Sequence, residues 1–145
     1  MGTTNHQFVS DVRAALVQAV MDGAFVSSTV VALPNMIFEP PEGATWLKVS
    51  FVPAHVVPAS LGAQGLDEVS GFLQVDVNTP EGEGEAAAMV LVDALRARFY
   101  AGSRWYSSDA VVRVSSCVPS QGRQVNNFYR ISVTIMFYSQ IKRSA

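Results

Sequence analysis

The stretch Gly71-Phe72-Leu73-Gln74-Val75-Asp76-Val77-Asn78, followed by Thr79-Pro80-Glu81-Gly82-Glu83-Gly84 and an alanine-rich run to Tyr100, decides the fold. Val69, Gly71, Leu73, Val75 and Val77 fall on one face of an extended chain, and Phe72, Gln74, Asp76 and Asn78 on the other. That is the period-two pattern of a strand with one face buried. Past the turn the period changes. Ala88, Leu91, Val92, Leu95 and Phe99 recur at helical spacing over 84–100, with Glu81, Glu83 and Glu85 near the start and Arg96 and Arg98 near the end. Charges placed in this way complement a helix macrodipole. A sheet therefore stands on one side of a helix.

On the N-terminal side, Phe8, Val12, Leu16 and Val20 recur every four residues with Ala15 and Ala19 on the same stripe, which predicts an amphipathic helix over 7–21 ended by Asp22-Gly23. Residues 24–26 and 29–33 are apolar and β-branched, and read as a short strand or extended connector before Pro34, Pro40 and Pro41. Residues 46–52 form the next clear strand, with Leu47, Val49 and Phe51 on one face and Trp46, Lys48 and Ser50 on the other. Its expected partner is the strand at Gly71. Between them, 53–67 contains Pro58, Gly62 and Gly65 and little charge, and reads as a flexible loop or an arm that orders against a partner.

On the C-terminal side, 111–117 is predicted as a strand and Pro119-Ser120-Gln121-Gly122-Arg123 as the turn after it. Over 127–141, Tyr129, Ile131, Val133, Ile135 and Phe137 alternate with Phe128, Arg130, Ser132, Thr134, Met136 and Tyr138. At about 3.3 Å per residue such a strand runs roughly 45–50 Å, so part of it is expected to project past its sheet. The expected fold is α+β: a two-layer sandwich in the order α-β-β-α-β-β. Its antiparallel or mixed sheet has four strands, with room for a fifth, and both helices lie on one face.

The 145 residues fit one domain, 1–145, large enough to bury about two-thirds of its unfolded surface. Charged residues make up 15% of the chain against a usual figure near 25%, and 49% is apolar, so surplus apolar surface points to an oligomeric interface. The net charge is −2 and Lys142-Arg143 is the largest basic cluster, which argues against sequence-specific nucleic-acid binding. A single cysteine, Cys117, excludes an internal disulfide and reads as a small buried side chain. The first residues lack the basic-then-apolar pattern of a signal peptide, and no run of about 18 apolar residues occurs, which predicts a soluble protein with no membrane partner.

No catalytic constellation stands out. Gly82-Glu83-Gly84-Glu85-Ala86-Ala87 has the spacing of a dinucleotide fingerprint, but three glutamates would repel a pyrophosphate and no βαβ repeat surrounds it. A capped structural turn is the better reading. His6 and His55 have no ligand spacing to one another, and no Gly-x-Ser-x-Gly turn presents a nucleophile. Asp76 and Glu68 share a strand face, as a carboxylate pair would require, although solubilising charge explains them equally well. No catalytic, cofactor-binding or metal-binding residue is assigned, and the chain does not read as an enzyme. More suggestive are the aromatic residues on the poorly covered side of the sheet, Trp46, Phe72, Phe128 and Tyr138, with Trp105 and Tyr106 in a loop. Either a neighbouring subunit covers them or they form satellite clusters under long loops.

Several motifs together resemble phage tail terminator-like proteins of long, non-contractile tails, the lambda-type group. They are Met36-Ile37-Phe38-Glu39-Pro40-Pro41-Glu42-Gly43, Gly71-Phe72-Leu73-Gln74-Val75-Asp76-Val77 with its Pro-Glu-Gly-Glu-Gly turn, Phe99-Tyr100-Ala101-Gly102, and Val133-Thr134-Ile135-Met136-Phe137-Tyr138. The resemblance implies a virion protein at the head-proximal end of the tail, assembled in the host cytoplasm. There it would form a hexameric ring on the tail tube protein, stop tube polymerisation and offer a surface to head–tail connector proteins. The pattern argument, independently of the family, nominates Met36, Phe38, Trp46, Phe72, Trp105, Tyr106 and Phe128 as interface residues. A head–tail joining or other minor tail protein of similar fold, and a small-ligand-binding α+β domain, remain open.

Overall fold

In chain order the elements are α1 (Val9–Asp22), β1 (Val31–Ala32), β2 (Trp46–Pro58), β3 (Leu66–Pro80), α2 (Ala86–Arg98), β4 (Arg104–Ser107), β5 (Ala110–Pro119), β6 (Arg123–Val125) and β7 (Phe128–Lys142). The structure is a computed structural model that describes residues 9–23, 25–26, 30–58, 65–107 and 110–142. His6, Phe8, Ala24, Thr29, residues 59–64 of the expected loop and Arg143 lie outside the described residues.

The strands form one seven-stranded sheet in the order β1-β2-β3-β7-β5-β4, with β6 pairing β7. β1 runs parallel to β2 and every other pairing is antiparallel. The expected four-stranded sandwich ordered α-β-β-α-β-β is therefore not the fold. β1, β4 and β6 are two to four residues long, too short for an alternation to register in sequence. Trp105 and Tyr106, expected in a loop, belong to β4.

Two further expectations are corrected in the middle of the sheet. β2 continues to Pro58 and β3 begins at Leu66, so most of the expected 53–67 loop is a β-hairpin. Pro53 and Pro58 suggested a break, yet β2 lies at the sheet edge there, where a missing N–H costs no ladder bond. A register shift between Pro53 and His55 also interrupts the alternation. Nor does β7 overhang: β3 matches it residue for residue, from Leu66 opposite Lys142 to Pro80 opposite Phe128.

One face of this sheet carries the core. Leu47, Val49, Leu73, Val75, Val77, Ile131, Val133 and Ile135 are buried against Val12, Leu16 and Val20 of α1 and Val92 and Leu95 of α2, with Phe99 just beyond α2. Each such side chain contributes about 1.5–3 kcal/mol by leaving water. Arg98, in the last turn of α2, donates from Nε to the Ala19 carbonyl at 2.7 Å, which ties α2 to the carbonyl-rich end of α1.

Candidate assembly surface

The second face of the sheet has no helix, and its two ends differ in character. At the end near Trp46 a polar network fills it. Asp76 is buried, and its Oδ1 accepts from Ser132 Oγ at 2.6 Å and from Gln74 Nε2 at 2.9 Å. Arg130 Nη1 lies 3.9 Å from the other carboxylate oxygen, and Arg130 Nε donates to Asn78 Oδ1 at 2.7 Å. Asn78 Nδ2 donates in turn to the backbone carbonyls of Asp76 and Trp46. A buried charge this well paired and hydrogen-bonded is a structural element of the fold. Glu68 lies eight positions from Asp76 along β3, about 26 Å away, so the two do not form a carboxylate pair.

An aromatic cluster seals the network. The Trp46 ring is 5.2 Å from Phe38 and 5.7 Å, edge-on, from Phe128, with the Arg130 guanidinium 5.9 Å from its centre. Beside it an open groove of about 620 Å³ is lined by Pro40, Pro41, Trp46, Pro80, Phe128 and Arg130, among others. Trp46, expected on an uncovered face, is buried by the chain itself.

The opposite end of this face is open. Val52, Phe72 and Met136 are register partners across β2, β3 and β7, and form a continuous row. Val52 and Met136 are exposed and Phe72 is half-buried. Tyr138 and Val118 extend the apolar surface around them, and Val56 and Val57 are exposed on the hairpin. Sequence reasoning missed Val52, Val118 and Met136. Alternation marked Met136 as facing away from the core, but only the register reveals that it continues Val52 and Phe72.

The remaining nominated residues are dispersed. Met36 (66% exposed) lies in the connector between β1 and β2, and Tyr106 (65%) on β4 at the far edge of the sheet. Trp105 is half-buried, 5.2 Å from Phe99 and beneath the Arg98 guanidinium at 4.6 Å.

The turn leading into α2 is acidic and exposed. Gly82 and Gly84 hold φ of 85° and 77°, a conformation that L side chains rarely adopt. The Glu85 side chain, at the helix cap, makes no hydrogen bond to the helix amides; its carboxylate instead accepts from Tyr129 Oη at 2.9 Å. That bond, with smaller contributions from burial and the carboxylate charge, raises the Tyr129 phenol above its usual value. Cys117 is half-buried in β5, where burial pushes its thiol up against the weaker opposing effect of Arg96. Among the described residues no group of three His, Cys, Asp or Glu side chains is placed to hold a metal ion.

A family model described as phage tail terminator protein matches residues 11–137. The chain belongs to the phage tail terminator family. It is accordingly a structural protein of the phage tail, found in the virion and assembling with other virion proteins. Two of the solved structures with a similar fold illustrate the likeness. One, with no functional description, superposes with a TM-score of 0.67 at 24% identity and covers 90% of this chain and 92% of its own. The other, from the virion of a native gene transfer agent particle, has a TM-score of 0.50 at 19% identity and covers 92% of the terminator-family chain and 96% of its own. No curated protein matches.

Proposed function

We propose that this protein ends the tail tube. Its subunits close into a ring, six in number on the family resemblance, seated on the last ring of tube protein at the head-proximal end. The opposite surface of the ring receives the head–tail connector proteins. A ring whose two sides differ is a stop, because the next tube ring finds no matching surface. The role is stoichiometric and requires no catalysis.

The observation that carries this reading is the open row Val52, Phe72 and Met136 beside the exposed 52–58 hairpin strand, in a chain of the terminator family. Apolar side chains in register on an unroofed sheet face are stabilised when a neighbour covers them. Phe128 and Trp46 belong to the chain's own cluster, whereas Met36, Phe72 and Tyr106 are available to neighbours.

The experiment is removal of the gene followed by electron microscopy of the lysate. Overlong tubes without heads are expected. Tails of normal length would sink the reading, and normal-length tails lacking heads would assign the protein to head–tail joining instead.

A further inference from the structure

We propose that Arg104 and Arg113, on the second face of the sheet, dock the acidic 81–85 turn of a neighbouring copy of this chain. The inference rests on the ring reading above and specifies one of its contacts.

The arginines sit directly opposite one another on β4 and β5, and both are exposed. Like charges facing across a strand pair destabilise a sheet. Among the described residues neither forms an ion pair. Tyr138 is the next register partner in the same row, and Tyr106, two positions from Arg104, shares its face. A cationic pair with two exposed, partly apolar rings beside it suits a carboxylate, since a neighbouring copy seated there would cover the rings and shield the attraction from water.

The complementary surface is on the same chain. Glu81 and Glu83 are exposed on the glycine turn, and the Glu81 amide donates to the Asn127 carbonyl at 3.1 Å, which anchors the turn to the start of β7. The two surfaces lie at opposite ends of the strands. Arg113 faces Tyr138, while Pro80, next to Glu81, faces Phe128. Ten positions of β7 separate Tyr138 from Phe128, about 33 Å. The arginines and the turn therefore cannot meet within one subunit, and they suit a head-to-tail contact, the kind that repeats around a closed ring. A nucleic-acid phosphate is the weaker occupant, because two cations on a chain of net charge −2 give little counterion release.

The test supplies variants in trans to a phage lacking the gene and reads infectious titre and tail length. Arg104→Glu with Arg113→Glu should lower titre by about 100-fold, the effect of like charges set against each other at an interface. Adding Glu81→Arg and Glu83→Arg to that chain reverses both sides of the contact and should restore titre to within about tenfold of wild type. A normal titre from the arginine double variant, or no restoration in the fourfold variant while both purified chains melt like wild type, overturns the proposal. So does normal assembly accompanied only by loss of retention on duplex DNA, which would assign the pair to nucleic acid. Failure of the terminator reading is separate: it shows as normal tails in the deletion itself, before any variant is supplied.

Discussion

Gly71 lies beneath the Val52 carbonyl, where β2 shifts register between Pro53 and His55. A Cβ at this position would collide with the Val52 carbonyl oxygen and come within 2.7 Å of the Ala54 nitrogen, both backbone atoms. The hairpin's path thus depends on a residue without a side chain.

Gly71→Ala should destabilise the protein by about 1–3 kcal/mol, the usual cost of overpacking. Because the clash is with backbone, the loosening should concentrate in the 52–58 strand. Urea denaturation gives the magnitude, and hydrogen exchange the location; unchanged protection of that strand would contradict the account.

Asp76→Ala leaves the half-buried Arg130 guanidinium without its carboxylate and removes the acceptor for Ser132 and Gln74. A loss of about 3 kcal/mol is expected. Asp76→Asn keeps the shape and one acceptor, so its cost should be about half as large. Equal losses for the two variants would mean that the carboxylate charge alone, not the shape or the retained acceptor, governs this site.

Arg98→Ala removes the 2.7 Å bond to the Ala19 carbonyl and the stacking over Trp105 together. About 2 kcal/mol should be lost. Arg98→Lys should recover less than half of it, since a lysine cannot place a planar fork on both partners. Thermal melts of the three chains decide this.

The raised Tyr129 phenol gives an alkaline signature. A phenol whose pKa is higher in the folded than in the unfolded chain contributes stability that is complete below the ordinary value of about 10 and is lost as pH rises through the folded value. Phenolate absorbance should show one tyrosine titrating late. In Glu85→Gln that tyrosine should titrate earlier, because its largest cause, the bond to the Glu85 carboxylate, is weakened.

How much of this was legible in the sequence depends on element length and on partner distance. α1, α2, β3 and β7 are long enough for a 3.6- or two-residue period to show, and their apolar positions identify the core face directly. β4 and β6 leave no such trace, and β1 shows only as part of the apolar, β-branched run 29–33. The extension of β2 was hidden by Pro53, Pro58 and the register shift, which imitate a loop. Asp76 and Asn78 looked solvent-facing because alternation alone places polar residues outside. Their partner Arg130 lies more than fifty positions away and meets them only through the β3–β7 register. The candidate surface was legible as a surplus of aromatic residues on one face. Which of them the chain covers itself, as with Trp46, and which it leaves open, as with Met136, required the fold.

β7 occupies the middle of the sheet, between β3 and β5, yet it is the last strand in the described chain. During translation β3 therefore waits with one long side unpaired, and β5 with only the short β4 beside it, until β7 leaves the ribosome. Nascent chains hold an apolar strand edge open from the completion of β3 until β7 is made, the condition in which chaperones are needed. The same arrangement acts as a check on completeness: a prematurely released fragment lacks the strand that joins the two halves of the sheet, and with it Met136 of the exposed row.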